Sequence, residues 1–327
     1  NYLLSDIMSN GVMFHHFHGG QFPKVQGSID KKKFYKIIYH LKKNKKIITP
    51  KEFLKLHENK KLKGDEVCLT FDDGIKSQKE LILPILDKLK IKAFFFIYTS
   101  ILEGLPDNLE YFRDFRCLFY KNLFFFYNDF YKNLKDFFPK KEKRLKARYN
   151  KNYLKKYKFY TKEDRKFRFC RDKILNKNEY EFIVEEIMKK KRYKKNERKK
   201  LLFMNIKDVK KIDKKGHTIG LHSHSHPTTI NNLNYKLQYD EYLKSKKILE
   251  KVLKKKIWSM SHPCGNYNTN TLKILKKIGI RIGFKADLIP GKIKSNFEVP
   301  REDHADLLKR LKWKLLFLQV IAVDISI

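Results

Sequence analysis

Two adjacent acids, Asp72 and Asp73, end the apolar stretch of "CLTFDDGIK" (68–76), directly before a glycine. Neighbouring carboxylates repel each other and resist removal from water, so something must compensate them. Far downstream, "HSHSHP" (222–227) sets three imidazoles at alternate positions. On an extended backbone, at about 3.3 Å per residue, His222 and His226 would stand about 13 Å apart. That is too far for two nitrogens each about 2 Å from one ion. If the strand ends at His222 and the chain then makes about one helical turn, positions i and i+4 share a face. His222 and His226 are then the natural ligand pair, and His224 points elsewhere. Two imidazoles and a carboxylate make a catalytic divalent site with positions open for water. A cation beside Asp72 and Asp73 turns repulsion into attraction for at least one acid. Gly74 lets the backbone leave the strand, so both side chains can reach one cavity.

The elements that must carry these groups follow from periodicity. "GVMFHHF" (11–17), "EVCLTF" (66–71), "IKAFFFIY" (91–98), "HTIGLHS" (217–223), "IWSMSHP" (257–263) and "IRIGFKA" (280–286) read as strands. Helical patterns fall between them, at 28–44, 49–56, 77–90, 236–255 and 269–279. Thr49, Pro50 and Glu52 make a capping-box start, and Pro84 predicts a kink. Strands that are apolar on both faces and alternate with helices specify an α/β fold with a parallel sheet, open or closed into a barrel. Active sites in such folds gather beyond the carboxyl ends of the strands. His15–His18, Asp72–Asp73, His222–His226 and Ser261–Asn266 all fall there.

The alternation breaks at an insertion from 103 to about 205. Residues 121–200 hold 29 Lys+Arg against 11 Asp+Glu and 18 of the 46 aromatics, and they read as mostly helical. The whole chain of 327 residues carries a formal charge of +39. Such an excess points to anionic partners, namely nucleic acid, an anionic membrane surface or a charged glycan. Joint enrichment in Lys, Asn, Ile, Phe and Tyr also has a purely compositional origin in AT-rich coding. The four cysteines are far apart with no C-x-x-C, which argues against a cysteine zinc site or a disulfide framework and fits a reducing compartment. No run of 18 apolar residues exists, and "LLFLQVIAV" (315–323) reads as a closing core element or, as the lesser alternative, an interfacial anchor. The start shows no basic n-region followed by a long apolar segment, although residue 1 is not Met.

"LTFDDG" (69–74), "GLHSHSHP" (220–227) and "SHPCGNYN" (261–268) resemble, in order, the first three motifs of the polysaccharide deacetylases, the NodB-like carbohydrate esterases. "FHHFHGG" (14–20), "KFYTKEDRKFRFCRD" (158–172) and "VPREDHADLL" (299–308) resemble a branch linked to surface-glycan biosynthesis. The resemblance implies a distorted (β/α)7-type barrel and removal of an acetyl group from an N-acetylated sugar. It implies Asp73, His222 and His226 as metal ligands and Asp72 as general base. It also implies the backbone N–H of Cys264 as the oxyanion donor. Zinc is the expected metal, and cobalt, nickel or iron suit the same ligands. Ser261 stands where many members carry an arginine that orients the base, which makes Arg301 the candidate for that task. The usual late acid motif is absent, and His304 is the candidate acid. His15, with His16 and His18, is expected to line the groove. Pro263 and Tyr267 are expected to shape the loop over the substrate.

The leading expectation is a cytoplasmic N-deacetylase, at or near the inner membrane surface, acting on a nucleotide- or lipid-linked sugar intermediate of envelope polysaccharide or lipopolysaccharide. A secreted deacetylase of chitin- or peptidoglycan-like polymer is the enzymatic alternative. A non-catalytic module whose basic insertion holds nucleic acid or anionic glycan is the alternative from another class, with nucleic acid the less favoured partner.

Overall fold

The computed structural model describes residues 10–155, 160–286 and 295–311. The tail at 315–323 and the first nine residues lie outside the described residues. The chain divides into two compact units, Asn1–Asp107 with Lys200–Ile327, and Asn108–Lys199.

The first unit is built on eight parallel strands: β1 (Gly11–Phe14), β2 (Lys46–Ile47), β3 (Glu66–Phe71), β4 (Phe94–Ile97), β5 (Thr218–Leu221), β6 (Ser259–Ser261), β7 (Ile282–Phe284) and β8 (Arg301–Asp303). They run in the order β7-β6-β5-β4-β3-β1-β8, with β2 alone off this path, beside β3. The two ends of the ladder meet. Phe284 bridges Val299 in parallel, Val299 donates its N–H to Gly283, and Lys285 donates to Val299. The result is a nearly closed α/β barrel of seven strands.

Several strands stop earlier than their hydrophobic pattern suggests. β5 ends at Leu221 and β6 at Ser261, just where the imidazoles begin. Polar side chains that must converge on one rim cannot stay in the ladder, where successive residues alternate faces.

Cys68, Phe94, Phe96, Ile282 and Phe284 share one core cluster, joined by Phe53 and Leu54 of the helix Pro50–Glu58. Each face of β3 is buried, as expected for a strand wrapped by helices. On its other face, Phe71 stacks with Phe14 and Phe95, and Phe34 of the helix Lys31–Asn44 packs edge-on against Phe14. Thr49 caps the helix Pro50–Glu58 by accepting from the Glu52 N–H. The reciprocal half of the box is not formed, because the Glu52 carboxylate pairs with Lys46 instead. The expected break at Pro84 takes the form of a wide turn, Gln78–Ile82, followed by a helix over Leu83–Lys88. Proline lacks the N–H that the regular ladder needs, and the widened turn absorbs the mismatch.

The second unit is helical. Its main elements are Asn108–Phe119, Leu123–Phe137, Pro139–Arg148, Lys162–Phe169 and Lys177–Lys190. Its core is aromatic, with Phe130 contacting Phe126, Phe167 and Tyr180. Asp114, buried there, accepts from Nε and Nη2 of Arg198, each at 2.7 Å. Among the described residues no helix of either unit is long and apolar enough to cross a membrane.

Candidate active site

Because every strand pairs parallel, their carboxyl ends share one rim. His15 follows β1, Asp72 follows β3, His222 follows β5 and Ser261 closes β6.

Asp72 and Arg301 form the best-buried ion pair of this rim. Nη1 of Arg301 lies 2.8 Å from Oδ1 of Asp72, and Nη2 lies 2.8 Å from Oδ2. The guanidinium also reaches Thr70 Oγ1 (2.9 Å), Ser261 Oγ (2.7 Å) and, through Nε, the Lys285 carbonyl (3.0 Å). All five of its N–H donors thus have acceptors within reach, which a fully buried guanidinium needs. Phe96 and Phe284 present ring faces to it at 5.8 and 5.9 Å. Gly11 makes the room, since a Cβ there would sit 2.8 Å from Arg301 Cγ. Ser261 donates to Asp72 Oδ2 at 3.0 Å. Burial alone would raise the Asp72 carboxyl, but the Arg301 charge, with help from His222 and His15, outweighs it and holds the pKa below the usual range.

Asp73 faces the other way, toward the imidazoles. Its Oδ1 lies 3.1 Å from His222 Nε2 and 3.4 Å from His226 Nε2. Burial would again raise its pKa, yet the two imidazoles hold it well below the ordinary carboxylate range. Reaching this arrangement strains the backbone. Asp73, Ser223, His226 and Cys264 all adopt positive φ (75°, 61°, 57° and 52°) without being glycine. Each such residue is disfavoured by about 1–3 kcal/mol and persists only where its surroundings enforce it. Enforcement is visible around the histidines. Glu241, on the helix Tyr235–Leu253, accepts from the backbone N–H groups of His224 and Ser225 and from Ser225 Oγ, while Ser223 Oγ accepts from the His226 N–H.

These three side chains fit a divalent cation. Nδ1 of His222 lies 2.9 Å from the Ser261 carbonyl, which can only accept. Nδ1 therefore carries the proton, and a neutral ring turns the Nε2 lone pair toward a carboxylate oxygen. Something positive must lie between two such acceptors. Protons on both imidazoles would set two cations side by side, their rings 5.0 Å apart. One ion serves all three groups, since donors about 2.0–2.2 Å from a common metal stand about 2.8–3.6 Å apart at near-tetrahedral or octahedral angles. Asp73, His222 and His226 indeed offer ligand atoms that all lie within 4.8 Å of one another.

The remaining expected residues are placed as follows. His15 borders the acid pair, its Nε2 lying 3.9 Å from Asp72 Oδ2, with a partly exposed side chain. Pro263 and Cys264 lie in a short turn directly after β6. Tyr267 stacks on His262 at 4.3 Å and donates to Glu298, so it braces the loop. His304 corrects the sequence reading. Its Nδ1 and Nε2 lie 3.2 and 2.9 Å from the carbonyls of Met13 and Gly27, and its ring stacks on Phe14, in the aromatic layer opposite the Asp72 face. With each ring nitrogen facing a backbone carbonyl, neither is open to a leaving group. His224 likewise turns aside, to Thr99 and Glu103.

Thr70, Gln78 and Glu241 also take part and were not singled out in the sequence. Gln78 Nε2 donates to the carbonyls of His15 and Asp72 and so joins the ends of β1 and β3. Thr70 was detectable in principle, because it lies two residues before Asp72 and shares its face in a strand. Gln78 and Glu241 act through backbone groups of distant segments, and no local pattern marks them.

The polysaccharide deacetylase family profile matches residues 59–116 and 178–283. No curated protein matches the chain. Solved structures of similar fold include the Streptococcus pyogenes deacetylase PplD in complex with acetate, at 15% identity and a TM-score of 0.55, over 93% of this chain and 98% of that one. IcaB from Ammonifex degensii has 15% identity and a TM-score of 0.54, over 90% and 91% of the two chains. The Aggregatibacter actinomycetemcomitans de-N-acetylase has 14% identity and a TM-score of 0.53, over 90% and 93%. At such identities the likeness is one of fold.

Proposed function

The chain belongs to the polysaccharide deacetylase family, and from this premise we propose that it hydrolyses the N-acetyl group of an N-acetylated sugar, with Asp73, His222 and His226 holding a divalent cation. The observation that carries the reading is the division of labour between adjacent acids. Asp73 turns to two imidazoles, whereas Asp72 turns to Arg301.

A bound divalent cation supplies Lewis acidity, lowering the pKa of water and polarising the acetyl carbonyl. The rest of the chemistry falls to the chain. Asp72 is the base. Its Oδ2 accepts from both Arg301 and Ser261, while Oδ1 accepts from Arg301 alone and keeps a lone pair for the proton of the attacking water. Arg301 keeps that carboxylate ionised and fixes its plane, the task an arginine at position 261 would otherwise perform. The backbone N–H of Cys264 is the donor we assign to the oxygen that becomes negative as the tetrahedral centre forms. With His304 engaged elsewhere, His15 is the imidazole we assign to protonate the departing amine.

The substrate we favour is a nucleotide- or lipid-linked intermediate of a cell-surface glycan, handled in the cytoplasm at the membrane surface. Zinc is the metal we favour, on the donor set of two imidazoles and a carboxylate. The test is acetate release from N-acetylated sugars presented as nucleotide conjugates, lipid conjugates and polymer, with and without a chelator. Release from a carrier-linked sugar that stops on chelation supports the reading. Release from polymer alone moves the substrate, and no release from any of them rejects the activity.

A further inference from the structure

We propose that the helical unit Asn108–Lys199 carries a binding site of its own for a phosphorylated saccharide. It contains a cavity of about 380 Å³ lined by residues of three segments, including Phe124, Tyr127 and Tyr131, Tyr149 and Lys151, and Arg165 and Lys166. That volume lies in the range of small-ligand sites, about 300–1,000 Å³.

Three features of the wall specify the ligand. First, its polar groups are left waiting. Tyr131 Oη and Arg165 Nε are buried without a hydrogen-bond partner among the described residues. A buried donor left unsatisfied is disfavoured by about 1–3 kcal/mol, so each gains by turning toward an acceptor placed in the neighbouring cavity. Second, the wall is cationic. Lys151, Lys162, Arg165 and Lys166 contribute four positive charges against one from Glu163, and none of these four makes an ion pair among the described residues. Lys166 instead lies over the Tyr131 ring, 4.7 Å from its centre. An anion is what these groups lack. Third, the wall is rich in aromatic rings, with Phe124, Tyr127, Tyr131 and Tyr149 lining it and Phe124 about half exposed at 49%. Such rings stack on the apolar side of a sugar ring, and the cations beside them match a phosphate.

A free amine is excluded by the same charges, so the site discriminates against a deacetylated, cationic sugar and favours a phosphate-bearing one. The saccharide part of this assignment rests on the deacetylase reading, whereas the anion part rests on the cavity alone.

The test is calorimetric titration of the full chain carrying Asp73→Ala, which removes turnover. The probes are N-acetylglucosamine 1-phosphate, N-acetylglucosamine and inorganic phosphate. The sugar phosphate is expected to bind at least tenfold more tightly than either fragment. Arg165→Gln with Lys166→Gln is expected to weaken it tenfold or more, and Tyr131→Phe, which keeps the ring, several-fold, both with unchanged melting. Equal binding of the neutral sugar, or affinity untouched by these substitutions, overturns the proposal. Equal binding of inorganic phosphate overturns its saccharide part. Binding as expected alongside failed acetate release from every substrate would reject the deacetylase reading and leave this anion site standing.

Discussion

Arg301 grips Asp72 with both terminal nitrogens, each 2.8 Å from a different carboxylate oxygen, and neither residue is more than 1% exposed. The pair fixes the carboxylate we assign as the base and is also a structural hazard, because removing one partner strands the other in the interior. Arg301→Gln is expected to destabilise the protein by about 3–5 kcal/mol. The double variant Asp72→Asn with Arg301→Gln should recover part of that loss, as measured by urea denaturation. A double variant no more stable than the single one would mean that the two charges do not depend on each other.

Asp73→Ala and His226→Ala are expected to lose the metal, and Asp72→Asn to keep it while losing turnover by at least about 100-fold, the scale of general-base catalysis. Metal content by plasma mass spectrometry, beside acetate release, separates the two acids. Full metal occupancy in Asp73→Ala would refute the ligand assignment.

The proposed transfer of the acid role from His304 to His15 is directly measurable. His304→Asn should lower the melting temperature through its lost carbonyl contacts, with kcat per folded molecule within a few-fold of the parent. His15→Gln should preserve the fold and lower kcat by about 100-fold or more. The opposite pattern would restore His304 as the acid.

Glu241 anchors the loop between His222 and His226 by three hydrogen bonds, to His224 and Ser225. Glu241→Ala is expected to weaken metal binding by about tenfold, the scale of lost outer supports around a metal site. Competition with a chromogenic chelator reads this, and an unchanged affinity would show that the loop holds its shape unaided.

His217 gives the fold a dependence on pH. Burial pushes its imidazole down to about 4, from an ordinary 6.5, and the neutral ring accepts from the Ala93 N–H. The unfolded chain therefore takes up this proton first. The contribution of His217 is complete above pH 6.5 and is lost as the pH drops from there toward 4, by about 3 kcal/mol over the whole interval. Denaturation midpoints across that interval should fall less steeply in His217→Gln. An identical slope would place the protonation elsewhere.

The barrel and its rim were legible because the signals were local. Apolar runs such as "CLTF" and "AFFF" mark buried strands, and "DDG" and "HSHSH" mark where those strands stop. The spacing of His222 and His226 already required a turn, and the structure supplies it through positive φ at Ser223 and His226. What the sequence concealed is long-range. His304 was the candidate acid because the usual late acid motif is absent, and only the fold reveals the carbonyls of Met13 and Gly27 around it. Gln78 and Glu241 were silent for the same reason.

The two halves of the Asp72–Arg301 clamp are separated by 229 positions. At synthesis rates of about 5–20 residues per second, the arginine leaves the ribosome roughly 10–45 s after the aspartate. Throughout that interval Asp72 lacks this counter-ion, and the barrel has no final stave. The nascent chain must therefore keep its aromatic staves from sticking to neighbours until the last one arrives, so the residue that clamps Asp72 also times the completion of the fold.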